Sequence, residues 1–208
     1  SDRLEKLNIE IKTGIEVSPE LVVDQKPDAV VVATGSIPKA KPIPGDYGPP
    51  FVLNVWDVLS EKYAVGEKVL FVDENGGHHA TATAEFLADQ GKKVDMVTSE
   101  LYIGIDLAPL GDISSTWDRL LKKGVTFSPD LVVDEIVNKT VKGHKVYTHE
   151  PVLFEDYDSI VLDMGDDAED SLYFKLKGKK IELHRIGDCV APRGLQMAIA
   201  EGRKLGET

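Results

Sequence analysis

The segment VDENGGHHA, Val72 to Ala80, brings together two acids, an asparagine, two glycines and two histidines. Glycines placed between a strand and a helix let the backbone approach a phosphate, and the helix N-terminus favours the anion. Counted back from the helix, the dinucleotide fingerprint positions fall on Asn75, Gly77 and Ala80. Asn75 stands where glycine would make the tight turn, and asparagine is the side chain most tolerant of left-handed φ. Gly77 allows close approach to a pyrophosphate, and Ala80 allows close helix–strand packing. Gly76 and His78 complete the candidate cradle. The electrostatics oppose it. Asp73 and Glu74 lengthen the turn and bring two negative charges to the phosphate path, with no lysine or arginine in the loop. That weakens diphosphate binding, and the helix dipole offsets part of the loss.

The end of the next strand reads Thr98-Ser99-Glu100. An acid at this place holds ribose hydroxyls in NAD-binding units, and an arginine nearby accepts the extra phosphate of NADP. The missing cation disfavours NADP, Glu100 supports NAD only weakly, and Ser99 is a candidate ribose partner. His78 or His79 is a candidate phosphate donor. Adjacent histidines without an i, i+4 partner do not make a metal site, so no metal ligand and no catalytic residue is assigned. Trp56 and Trp117 read as core or domain-interface residues rather than platforms for adenine.

These residues need elements to hold them. Val69–Val72 reads as a strand, Ala80–Gln90 as a helix stopped by Gly91 with Ala80, Ala84 and Leu87 on one face, and Val94–Thr98 as a second strand. Asp112 is placed to cap a helix that turns Ile113, Trp117, Leu120 and Leu121 inward and stops at Gly124. Leu131 to Phe154 alternates like a β-meander, with turn signals at Lys142-Gly143 and Glu150-Pro151. "IEIKTG" (Ile9 to Gly14) alternates like a half-buried strand, and "DAVVVATG" and "DSIVLDMG" read as fully buried ones. Five prolines between Ser36 and Pro50 exclude a regular element there. Asn54 is a candidate N-cap with Asp57 in the first turn. The alternation predicts an α/β, Rossmann-like, doubly wound parallel sheet with a β-meander.

Composition narrows the partners. A net charge of -12 argues against nucleic acid and anionic membrane. No apolar run reaches the roughly 18 residues of a bilayer span, and no signal peptide is visible. The single cysteine, Cys189, excludes an internal disulfide and a cluster held by this chain alone, and fits a reducing cytoplasm. An internal echo, "GIEVSPELVVD" against "GVTFSPDLVVD", each leading to one of the two apolar strands, suggests two related α/β domains. The first lacks an upstream glycine loop, so the chain is expected to begin inside it.

The phrases "VVVATGSIP", "KVLFVDENGGHHATATAEFLADQGKKVDMVTS" and "HRIGDCVAPRGLQMAIAEGRKLG", in that order, span most of the chain from Ile9 to Gly206. Together they resemble the C-terminal dinucleotide-binding region of the NADH:flavin oxidoreductase, trimethylamine dehydrogenase and 2,4-dienoyl-CoA reductase family. The resemblance implies a nested layout. Residues 1–49 and 166–208 would be parts of a flavin-type (FAD/ADP) domain, and 50–165 an inserted NAD-type domain. Gly35, Gly187 and Asp188 would then lie at the flavin-type site, Asp188 taking the place of the aspartate that bonds the ribityl chain. It also implies a flavin barrel and the N-terminal part of the flavin-type domain as partners, and FAD/FMN and an iron–sulfur cluster in the full-length enzyme. A homo-oligomer is compatible with it. Three readings stay open: an oxidoreductase portion holding ADP or a related adenine nucleotide structurally, an NAD(H) domain delivering hydride to flavin, and a degenerate scaffold that binds neither.

Overall fold

A computed structural model describes residues 6–7, 9–39, 43–45, 48–137 and 139–207. The chain forms two compact units, one of Ser1–Ile37 with Asp167–Thr208, the other Pro38–Asp166. The first residues of the proline-rich segment, Ser36–Pro38, form a short strand where no regular element was expected, and from Pro38 the segment packs with the larger unit. Ile43 is buried in its core, and the Pro44 carbonyl accepts from the Ile136 amide.

In chain order the elements are α1 (Pro19–Gln25), β1 (Ala29–Val32), β2 (Ser36–Pro38), β3 (Val52–Asn54), α2 (Val55–Leu59), β4 (Lys68–Asp73), α3 (His78–Asp89), β5 (Lys93–Val97), α4 (Ile113–Lys122) and β6 (Thr126–Ser128). There follow β7 (Leu131–Val137), β8 (Thr140–Lys145), β9 (Pro151–Phe154), β10 (Ser159–Asp163), β11 (Asp166–Ala168), α5 (Ser171–Leu176), β12 (Glu182–Arg185) and α6 (Leu195–Gly206). The larger unit is built on a five-stranded sheet in the order β3-β10-β4-β5-β6, with every pairing parallel. Side chains on a strand alternate between faces. Val69, Phe71, Val94, Met96 and Val161 pack on one face against Val55, Val58, Ala80, Ala84, Leu87 and Leu120 of α2, α3 and α4. Leu70, Val72, Val97, Ile160 and Leu162 pack on the other against Val133, Ile136 and Val141 of the meander. The sheet is therefore buried on both faces, by helices on one side and a second sheet on the other. That explains its near-continuous apolar strands.

Connections from β4 run through α3 to β5 and through α4 to β6, while β10 lies on the opposite side of β4. The order reverses between β4 and β10. In an open parallel sheet, ligands bind outside the carboxyl ends of the strands at such a point. Asp73 and Asp163 are the last residues of those two strands and pair in register.

Several local expectations change. Lys142-Gly143, expected as a turn of the meander, is strand inside β8, and a Cβ on Gly143 would stand 2.1 Å from the Val132 carbonyl oxygen. Glycine here serves close strand approach beside a bulge, between Val133 and Glu135. Residues 9–14 form no strand; Ile9 and Ile11 are exposed, with no partner strand among the described residues. Among the described residues β1 pairs only with β12, and Val31 is exposed rather than buried. The echoed LVVD is helical at 21–24, where the Ser18 hydroxyl caps the Leu21 amide and Pro19 opens the helix. At 131–134 it is strand, entered through Asp130 at φ 58° and paired with β8. Tertiary pairing overrides local preference. On α4 the buried residues are Thr116 and Leu120, and Leu121 faces solvent. Asn54 caps α2 as expected, its Oδ1 accepting from the Asp57 amide at 2.8 Å, and Asp57 returns the bond by accepting from the Asn54 amide.

Phe71 is fully buried on the central strand against α3. Phe71→Ala should cost about 3–5 kcal/mol in urea unfolding, the range for an aromatic removed from a close-packed core.

Candidate functional site

The candidate cradle is closed from within. Asp73 is the fully buried end of β4 and not part of the loop. Its Oδ1 accepts from the backbone amides of Asn75 at 3.2 Å and Gly76 at 2.7 Å. Two successive loop amides, the kind that bind anions, are thus held by an internal carboxylate. Asp73 Oδ2 is buried and meets no hydrogen-bond partner among the described residues. On the neighbouring strand Asp163 is also buried. Its Oδ1 accepts from the Gly165 amide at 3.3 Å, and its Oδ2 from the Asn75 side-chain amide at 3.3 Å. Burial raises the Asp73 pKa to about 6, opposed by the Gly76 amide and reinforced by the Asp163 charge. Burial likewise raises that of Asp163, against the Gly165 amide, the Asn75 side chain and the field of His79.

The loop geometry differs from the expected fingerprint in one respect. Gly76, at φ 70°, carries the left-handed turn, and Asn75 does not. A Cβ on Gly76 would lie 2.7 Å from Ile105 Cγ2, because the turn Ile105–Leu107 sits on the loop and the Asp106 amide donates to the Gly76 carbonyl. Asn75 is freed to reach Asp163. Gly77 caps α3 at φ -105°, and a Cβ there would meet only the Asn75 side chain at 4.0 Å. Ala80 is fully buried against the sheet.

The remaining candidates are distributed as follows. Thr98 is buried, and its hydroxyl accepts from the Glu100 amide. The Ser99 hydroxyl donates to Glu74 at 2.7 Å, so the candidate ribose partner is engaged by the loop's own acid. His78 lies 3.3 Å from Asp112. Asp112 makes no side-chain cap on α4; its carboxylate faces His78. Gly35, Gly187 and Asp188 belong to the smaller unit, apart from this loop in the division of the chain. There Asp188 Oδ1 accepts from the amides of Arg193 and Gly194 just before α6, and the Gly187 amide donates to Glu201. Gly35, at φ 80°, follows β1, and its carbonyl accepts from the Glu169 amide. Cys189 is buried, with Sγ 3.1 Å from the Val32 carbonyl oxygen. No group of three metal-ligating side chains occurs among the described residues.

One feature had no clear sequence signal. A cleft of about 370 Å³ opens beside the carboxyl ends of β3 and β10, lined among others by Asn54, Trp56, His79, Met164 and Lys39. Trp56, expected in the core or at an interface, is 49% exposed and lines it. Trp117 instead packs between Tyr102 and Phe127 and donates to the Ile103 carbonyl. The cleft forms where four separate segments converge, which one-dimensional spacing does not reveal.

No protein-family model matches the chain. It is 28% identical over 97% of its length to a probable N-methylproline demethylase of Rhizobium meliloti, of which it covers 34%. It is 28% identical over 96% of its length to the NADH oxidase of Thermoanaerobacter brockii, covering 30% of that protein. The solved structure of a 2-naphthoyl-CoA reductase complex superposes with a TM-score of 0.89 at 30% identity, over 99% of this chain and 30% of that one. Its homologues are the trimethylamine dehydrogenase and 2,4-dienoyl-CoA reductase type of oxidoreductases, matched in their C-terminal region. The chain spans about a third of the length of the curated relatives it matches. The parallel sheet with its loop-to-helix turn at the switch point is the nucleotide-binding architecture of such enzymes. No helix among the described residues is long and apolar enough to cross a membrane.

The buried acid gives a pH signature. Its folded pKa lies above the ordinary 3.8, so the folded state holds the proton more tightly than the unfolded chain. Stability from this group is present at low pH and is lost as pH rises from about 4 to about 6. Asp73→Asn keeps an acceptor for the two amides and removes the charge. It should stabilise the protein at pH 7.5 by on the order of 2 kcal/mol, a gap that closes below pH 5, read by urea unfolding across pH.

Proposed function

We propose that this chain is the nucleotide-binding portion of a larger flavin-dependent oxidoreductase, and that the β4–α3 loop holds ADP or a related adenine nucleotide as a structural ligand. The observation that carries the reading is the placement of this loop. It lies at the switch point of an all-parallel sheet, ahead of a twelve-residue helix whose first turn has no side-chain cap. Uncapped amides at a helix start favour an anion. Gly77 is open to solvent-side approach, and Ala80 seats α3 closely on the sheet. Against a full dinucleotide stand the two buried acids and the engagement of Ser99 by Glu74. A ligand with one short phosphate segment, held at the helix start and by the ring of His78 or His79, suits these groups better than one that crosses the β4–β10 junction.

In the same proposal, Asp188 and the start of α6 would hold part of a flavin cofactor. One Asp188 oxygen is committed to two amides, and the other makes no hydrogen bond among the described residues. The flavin would supply the redox chemistry, and the rest of the enzyme would supply its substrate site. No residue of this chain is assigned a catalytic role.

One observation favours a second reading, an NAD(H) site that delivers hydride. The cleft beside β3 and β10 lies on the far side of the switch point from β5 and is largely apolar, with Trp56 at its wall. A nicotinamide ring would suit it. Calorimetric titration of the 208-residue chain with ADP and NADH separates the two. Equal affinities support the structural adenine nucleotide, and clearly tighter NADH supports hydride delivery. Absence of binding by both contradicts each. Gly77→Leu should weaken ADP about tenfold or more, while a poorer helix cap costs the fold only about 1 kcal/mol.

A further inference from the structure

We infer that the Asp73–Asp163 pair is the specificity determinant of this loop, and that a nucleotide phosphate reaches the switch point only as the pair takes up a proton. The inference rests on the adenine-nucleotide reading and adds to it which residues set the phosphate preference and how pH governs it.

Geometry supplies the argument. The two carboxylates end adjacent parallel strands and pair in register. Asp73 occupies the amides of Asn75 and Gly76, and Asp163 draws the Asn75 side chain across the junction. The loop is thus folded around its own anions. An incoming phosphate brings at least one more negative charge to a buried pair in which Asp73 Oδ2 meets no hydrogen-bond partner among the described residues. Like charges in a site of low polarity cannot all remain ionised, and the least costly adjustment is protonation of a carboxylate. Protonation also weakens Asp73 as an acceptor, which loosens its hold on the two loop amides.

The groups facing the pair are few. Each carboxylate acts on the other; from the turn after β10 comes Asp166; from α3 comes His79, whose charge favours ionised Asp163; and Lys39 lines the cleft that Asp163 and Asp166 also line. Glu74 is turned toward Ser99, and His78 toward Asp112. The acids outnumber the bases. The field around the pair therefore resists a second anion at neutral pH and relaxes as pH falls.

The test is ADP titration of the 208-residue chain at pH 5.5 and 7.5, for wild type, Asp73→Asn and Asp163→Asn. At pH 7.5 it is repeated in two buffers of different ionisation enthalpy. Wild type should bind ADP about tenfold more tightly at pH 5.5, and at pH 7.5 should take up protons on binding. In Asp73→Asn, ADP should bind at pH 7.5 about as tightly as wild type does at pH 5.5, and proton uptake should fall. Asp163→Asn should move the same way by less. Any pH effect that comes from ADP or from His78 and His79 persists in the variants, so an unchanged pH dependence in Asp73→Asn overturns the inference and leaves the adenine-nucleotide reading standing. Absence of ADP binding in wild type and variants at both pH values overturns both. Circular dichroism of the variants confirms that the fold is kept; if Asp73→Asn unfolds, Asp163→Asn alone decides, and an unshifted pH dependence there counts against the inference.

Discussion

Two carboxylates buried side by side at the ends of neighbouring parallel strands constrain everything around the candidate site. A buried anion needs donors, and the peptide groups nearest each strand end supply them. Asp73 takes the amides of Asn75 and Gly76, and Asp163 takes that of Gly165. This requires the chain to turn sharply after β4. Gly76 therefore adopts a left-handed φ and sits under Ile105 with no room for a side chain. Asn75 is left with its amide over Asp163, which ties the two strand ends together. The loop's shape is thus explained by its own charges before any ligand is considered.

The same constraint separates backbone from electrostatics in the inherited design. The parallel order β3-β10-β4-β5-β6, the loop and the closely seated α3 are the parts of a dinucleotide-binding unit. The charges are of the opposite sign to those that such a unit needs for a diphosphate. A helix N-terminus is worth at most about 2 kcal/mol to an anion, and two ionised acids in a dry site offset a gain of that size. On the inference above, whether the loop accepts a phosphate turns on the protonation of that pair as well as on the open approach at Gly77. The cleft beside β3 and β10 is largely apolar, but Asp163 and Asp166 line it together with Lys39 and His79, so the same carboxylate charge bears on both halves of the switch point.

Much of this was legible in the sequence where local chemistry decides the outcome. The apolar runs at 69–72, 94–98 and 158–165 became central strands, and the spacing of Ala80, Ala84 and Leu87 marked the buried face of α3. The Asn54 N-cap and the stop at Gly124 also followed from residue type. The failures share one cause. Asp73 read as a loop residue because acids are rarely buried, yet its strand continues until the carboxylate meets the amides ahead of it. Gly143 read as a turn signal, although it marks close approach of β7. LVVD folds as a helix once and as a strand once, and only the pairing partner tells them apart. Trp56 lines a cleft assembled from segments distant in sequence. In each case the deciding contact is nonlocal.

The central claim, that a buried carboxylate at the switch point governs the loop, is tested most directly by the titration of Asp73 itself. Carbon-13 NMR of aspartate side-chain carboxyls in the 208-residue chain, assigned by comparison with Asp73→Asn, gives its midpoint. A midpoint near 6 is expected from its burial beside Asp163. A midpoint near the ordinary 3.8 would show a solvated carboxylate free of that field and would contradict the account.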